Sequence, residues 1–120
     1  GIMLAVACGI AESRGLDRVL IANHNGDHAI YPDCRENFIA AMGKAMEAGT
    51  YEHISIDAPF TDISKTDIAL IGKRLGIDYS KTYSCYKGGE KHCGKCGTCV
   101  ERKEAWRNAG IEDTTEYEEQ

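Results

Sequence analysis

Between Cys85 and Cys99, four of the chain's six cysteines fall within fifteen residues, spaced Cys-x7-Cys-x2-Cys-x2-Cys. No other stretch restricts the fold as tightly. Two linked x2 spacings close round one centre only on tight turns, and Gly94 and Gly97 provide the backbone freedom those turns need. A tetrahedral ion such as zinc takes four thiolates at about 2.3 Å, and a shell closed by four cysteines is structural rather than catalytic. Cys85, Cys93, Cys96 and Cys99 are therefore the expected ligands of one zinc, the longer arm letting Cys85 reach across a loop. His92, beside Cys93, is a possible substitute ligand. An iron–sulfur cluster takes the same four thiolates, and spacing alone leaves it open. A disulfide framework fits less well, since Cys8 and Cys34 stand outside the cluster and the first residues do not read as a secretory leader.

With 120 residues, 42% of them hydrophobic, the chain fits at most one globular domain. A net charge of −5 argues against a general binder of phosphate backbones, so no direct nucleic-acid partner is expected. No apolar run approaches the roughly 20 residues of a membrane span, so no membrane partner is expected and the reducing cytoplasm is the expected location. Acid gathers at the end, from Glu112 to Glu119. Residues 1–110 are expected to form a single α/β domain that includes the zinc knuckle 85–99, and residues 111–120 a solvated acidic tail.

Residues 2–11 are apolar nearly all round, which predicts a helix buried on most faces and ended by Gly15. That such a helix opens the chain suggests that further chain precedes it. Residues 18–22 read as a short strand, apolar on both faces like the strands of a parallel sheet. The loop from Asn23 to Asp33 follows, and loops beyond the carboxyl ends of parallel strands are where α/β folds place ligands. A helix is expected from about Cys34 to Ala48, with Asp33 as its N-cap and Phe38, Ile39, Met42 and Met46 as its core stripe. A second strand runs over residues 53–59, broken by Pro59. Ser64 and Asp67 then open a helix in a capping-box pattern, with Ile68, Ile71 and Leu75 as its buried stripe and Gly76 as its stop. After the cysteines, Thr98 caps a last helix that carries Arg102, Ala105 and Trp106 and stops near Gly110. Helices and strands in this order give an α/β fold with parallel pairing, though two strands are few for a central sheet.

Several of these residues carry a resemblance. Tyr31-Pro32-Asp33-Cys34-Arg35 with Phe38-Ile39, the stretch from Thr66 to Gly76, Thr82-Tyr83-Ser84-Cys85-Tyr86, and the cysteine knuckle followed by Arg102 together resemble the 7-cyano-7-deazaguanine synthases. These are pyrophosphatase-loop ATPases of queuosine biosynthesis, a tRNA modification. The likeness spans about residues 1–108 and corresponds to the carboxyl-terminal half or so of that family.

The resemblance implies part of an adenine-nucleotide alpha-hydrolase-like (Rossmann-like) parallel sheet with flanking helices and a four-cysteine zinc knuckle. It implies a ligase that converts 7-carboxy-7-deazaguanine, ammonia and ATP with Mg2+ into the nitrile. Adenylation of the carboxylate, displacement of AMP by ammonia, and a second adenylation that permits dehydration of the amide are the implied steps. Asp27, Tyr31, Asp33 and Arg35 would face the substrate: carboxylates suit the N–H donors of a guanine-like edge, the Arg35 fork suits the substrate carboxylate, and Tyr31 could stack on the ring. Lys65, at the start of a helix, would meet a phosphate. The family's Ser-Gly-Gly-x-Asp-Ser loop has no match, because Gly88-Gly89 is the only paired glycine. The chain is therefore expected to be inactive alone, and with an exposed sheet edge and apolar face it is expected to form a homodimer. Another pyrophosphatase-loop tRNA-modifying enzyme, a zinc-ribbon nucleic-acid-binding module with Lys87, Lys91, Lys95 and Lys103 round the knuckle, or an inert structural half are the competing functions.

Overall fold

A computed structural model describes residues 1–118. These residues fall into two compact units that divide between Ile63 and Ser64.

The first unit is an α/β layer. Helix α1 (Ile2–Ser13) leads into strand β1 (Arg18–Leu20); helix α2 (Glu36–Gly49) then returns the chain to strand β2 (Ser55–Asp57). A helical crossover of this kind is what parallel neighbours require. The strands are parallel as expected, with Val19 opposite Ile56. The ladder extends past both ends, through Ser55 N–H to Asp17 O at 3.0 Å and Ile21 N–H to Asp57 O at 2.9 Å. Cys8, Ala11 and Ile54 form the core, with Val19, Met46 and Ile56 packed on it.

Helix α1 departs from expectation. It buries only Leu4, Cys8 and Ala11, a single stripe at helical spacing, while Ile2 is 83% and Met3 85% exposed. Two three-residue strands offer area for one stripe and no more. The start of α2 also differs. Pro32 opens a 3-10 turn (Pro32–Cys34), closed by Arg35 N–H to Pro32 O at 3.2 Å, so Asp33 lies inside that turn and Arg35 is the N-cap. Of the stripe expected on α2, Ile39 is buried and Phe38, Met42 and Met46 are half-buried.

The second unit packs helix α3 (Lys65–Arg74) against helix α4 (Gly97–Ala109). The Ser64–Asp67 capping box forms in both directions, as the sequence predicts. The buried face of α3 is Ala69 and Gly72, rotated away from the expected stripe, and Leu75 is 74% exposed. The rotation has a steric cause. Tyr79 wedges between the helices, its ring centroid 4.6 Å from that of Trp106 and its hydroxyl donating to Ala69 O at 2.7 Å. Only small residues leave room for it: a Cβ on Gly72 would lie 1.9 Å from the tyrosine oxygen. Helix α4 begins at Gly97, so Cys96 rather than Thr98 stands at the N-cap position, and Thr98 lies inside the first turn with its hydroxyl 3.1 Å from the Cys96 sulfur. It ends where expected, at Gly110 in the left-handed region.

The expected acidic tail is not a solvated one over its described part. Tyr117 pairs with His92 in a parallel bridge, through His92 N–H to Glu116 O at 3.2 Å and Glu118 N–H to His92 O at 2.8 Å. The rest of that expectation, Glu119 and Gln120, lies outside the described residues. Among the described residues no helix is long and apolar enough to cross a membrane.

Candidate metal centre and substrate loop

The segment after Thr82 turns back on itself so that Cys85, Cys93, Cys96 and Cys99 converge. Their sulfurs all lie within 4.8 Å of one another. Cys93 and Cys99 are 4.0 Å apart and Cys85 and Cys96 3.9 Å apart. Four sulfurs at about 2.3 Å from a central ion would sit about 3.8 Å from each other in a tetrahedron, so the donor set fits such an ion. Gly94, at φ +76°, makes the turn inside the first x2 spacing, between Cys93 and Cys96. Backbone donors aim at the sulfurs: Cys93 N–H reaches Cys85 Sγ at 3.3 Å and Cys96 N–H reaches Cys93 Sγ at 3.2 Å.

The four thiols are not equivalent. The Thr98 hydroxyl, with backbone N–H groups behind it, pulls Cys96 down to about 5. Burial pushes Cys99 up to about 12. The Cys93 N–H lowers Cys85. One thiolate is thus ready-made, and another must be deprotonated on binding.

His92 is outside the cluster. Its Nε2 accepts the Ser84 N–H at 3.1 Å, and its ring stacks at 4.6 Å from that of Tyr83. Burial, reinforced by the Arg102 charge, holds the imidazole below its ordinary value and so in its neutral, accepting form. Its place is structural, beside the ligands.

Arg102 is the residue that sequence reasoning undervalued. It is buried in α4, and its fork is used on every side: Nε to Thr115 Oγ1 at 2.8 Å, one terminal nitrogen to Thr82 Oγ1 at 2.7 Å and Tyr79 O at 3.0 Å, the other to Ser84 Oγ at 3.3 Å. It therefore ties the irregular segment leading to Cys85 and the carboxyl-terminal segment to the helix that carries Cys99. The signal was present: Arg102 shares the helical face of Ala105 and Trp106, and an arginine on a buried stripe demands acceptors. Arg102→Met should lower the stability of this unit by about 3 kcal/mol or more, since several buried oxygens lose their donor at once. Urea melts followed by Trp106 fluorescence would measure it.

The residues expected to face a substrate stand in one loop of the first unit, between β1 and α2. Asp27 ends a 3-10 turn (Asn25–Asp27), where its carboxylate accepts the His24 N–H at 3.0 Å and lies 3.4 Å from His24 Nε2. Tyr31 is 37% exposed, its N–H bonded to Asp27 O at 2.9 Å. Asp33 lies 3.2 Å from the α-amino group of Gly1. Arg35 donates from Nε to His28 O at 2.9 Å, which holds the loop closed. Asn23, buried beneath, donates to Cys34 O at 2.9 Å. Lys65 belongs to the other unit. Its ammonium pairs with Glu101 at 2.6 Å, beside a recess of about 220 Å3 lined by Ile68, Tyr79 and Trp106 among others. That partner was not anticipated. Of the lysines round the knuckle, Lys87 pairs with Glu118 and Lys103 bonds Gly94 O.

A family model described as queuosine biosynthesis protein QueC matches residues 1–110. The 7-cyano-7-deazaguanine synthase of Porphyromonas gingivalis is 69% identical over 118 residues, covering 98% of this chain and 54% of that protein. Proteins of the same name from Rhizobium johnstonii and Caldicellulosiruptor saccharolyticus are 50% and 48% identical, covering 99% and 98% of this chain and 51% and 52% of their own lengths. The chain spans about half the length of these relatives.

Proposed function

The chain belongs to the queuosine-biosynthesis QueC family, whose fold is adenine-nucleotide alpha-hydrolase-like, and from that premise we propose that it is the metal-bearing, substrate-facing part of a 7-cyano-7-deazaguanine synthase. The observation that carries this reading is 69% identity, over nearly the whole chain, to a protein of that name. In the full-length protein the two units would belong to one α/β domain. The reaction proposed for it joins 7-carboxy-7-deazaguanine and ammonia at the expense of ATP. The carboxylate oxygen attacks the α-phosphorus and pyrophosphate leaves; ammonia then displaces AMP to give the amide. The amide oxygen is adenylated in turn, and loss of AMP and the two amide protons leaves the nitrile. AMP is thus a product of both halves; the transfer of nitrogen rather than sulfur, and the absence of any need for iron, separate this chemistry from that of a tRNA thiolase.

In this reading Asp27 accepts from the guanine-like edge and Arg35 pairs with the substrate carboxylate, with Tyr31 and Asp33 completing the contact. Support comes from their shared loop beyond the carboxyl end of β1. Lys65 would meet a phosphate with Mg2+ alongside, exchanging Glu101 for it. The test is a set of substitutions in the full-length enzyme. Asp27→Ala and Arg35→Ala should raise KM for 7-carboxy-7-deazaguanine by about tenfold or more and leave KM for ATP nearly unchanged. Arg35→Lys should also weaken it, through loss of the planar fork. Lys65→Ala should instead depress kcat. If Lys65→Ala altered only substrate affinity, the assignments would have to be exchanged.

The ion proposed for the four thiolates is zinc, serving structure. Its uptake must expel the proton that burial keeps on Cys99. Affinity should therefore rise with pH, and fall by about tenfold or more for each unit that pH is lowered from 8 to 6. Cys96, already a thiolate above about 5, adds nothing to that slope. Competition with a chromophoric chelator at several pH values measures it, and a flat profile would contradict the ligand set. The clustered reduced thiols suit the cytoplasm. The exposed apolar residues of α1 support a homodimer, which light scattering on the chain would detect.

A further inference from the structure

The carboxyl-terminal segment does more than leave the helix. After Ile111, whose N–H bonds Trp106 O at 3.0 Å, the chain returns toward the cysteines. Asp113 takes the Tyr117 hydroxyl at 2.6 Å and the Thr115 N–H at 3.0 Å, which folds the segment on itself. Thr115 is bonded by Arg102, and the backbone on both sides of Tyr117 is bonded to His92, the neighbour of a cysteine ligand. Tyr117 itself packs against the cysteine group, half-buried, and Lys103 stands 4.5 Å over its ring while bonding Gly94 O. Lys87 and Glu118 close the far end at 2.9 Å. Within these few residues, four separate ties lead to the knuckle and its helix.

We infer that residues 113–118 are a strap that covers the cysteine centre, with Tyr117 as its closing side chain, and that a metal held there exchanges only when the strap lifts. The inference rests on the metal reading above. Cys85, Cys93 and Cys99 are buried beneath their neighbours, and Cys96 alone is half-exposed. A chelator can reach the ion past Cys96, but it removes the ion only by displacing thiolates one after another. The remaining three come free when the cover over them opens, so release follows the local opening of this segment rather than global unfolding.

The test uses the full chain loaded with zinc under reducing conditions, with release timed against an excess of a chromophoric chelator. A chain ending at Glu112 and the Tyr117→Ala variant should each lose zinc about tenfold faster or more than the parent at equal initial stoichiometry. Tyr117→Phe, which keeps the ring, should stay within about threefold. The same variants loaded with cobalt(II) report the site itself, through the thiolate charge-transfer and d–d bands. Unchanged spectra with faster release establish a cover. A spectrum lost on truncation would make the strap part of the ligand frame and overturn the inference, as would unchanged release rates. A parent chain that takes up no zinc or cobalt overturns the metal reading first, and this inference with it; uptake with unaltered release overturns this inference alone.

Discussion

Cys99→Ser is expected to abolish zinc uptake and to unfold the second unit while leaving the first intact. Cys99 is wholly buried and sits in the first turn of α4, so its loss opens the tetrahedral shell from inside. Structural zinc contributes on the order of 10 kcal/mol of folding free energy in small zinc peptides, which exceeds what two short helices can bury. The core they share is Ala69, Ala105 and Trp106 with a few partly buried neighbours, too small to hold the unit folded by itself. Elemental analysis should fall from one zinc per chain to none, and Trp106 fluorescence should shift to that of a solvated indole. A serine variant that keeps its metal, or melts like the parent, would rule out a structural role for the ion.

The second large effect is catalytic. These 120 residues incubated alone with 7-carboxy-7-deazaguanine, ATP, Mg2+ and ammonium should form neither AMP nor nitrile above the buffer rate. Adenylation requires the triphosphate held with its α-phosphorus in line with the attacking carboxylate, and positioning of that kind is worth about 7–11 kcal/mol of barrier. No Ser-Gly-Gly-x-Asp-Ser stretch is present to cradle a pyrophosphate, and Lys65 is already paired with Glu101. The full-length protein assayed in parallel should turn over. Comparable turnover by the 120 residues would place the phosphate-binding groups within them.

The sequence was most informative where the physics is local. The cysteine set could be read because its spacing alone brings four sulfurs together, and the Ser64–Asp67 box because it is completed within one turn. The parallel strand pair followed from apolar runs separated by a helix-length crossover. Where contact partners decide, the reading failed. Ile68, Ile71 and Leu75 form a good helical stripe, yet the helix turns Ala69 and Gly72 inward because Tyr79 needs the space. Asp33 is a sound N-cap by composition, but Pro32 begins a separate turn in front of the helix. Charge alone made the end of the chain look solvated, whereas its backbone and Tyr117 form the contacts that matter. The substrate loop was legible as a location only; that Asp27 is engaged by His24, and Arg35 by a carbonyl, depends on turns that no periodicity announces.

Cys96 caps α4 and Cys99 follows within its first turn, so the positive end of that helix's macrodipole faces the sulfurs directly. Four thiolates round a divalent ion carry a net charge of about −2, and the helix end is worth about half a positive charge. A dipole of that sign favours the most anionic state of the centre. Its field would raise the reduction potential of a redox-active ion placed there, because the reduced centre is the more anionic one, and it costs a redox-silent ion such as zinc nothing. The dipole exists only while the helix does. An oxidant that removes one thiolate would therefore also fray the first turn, and damage to one sulfur would spread along α4 toward Arg102 instead of remaining a local lesion.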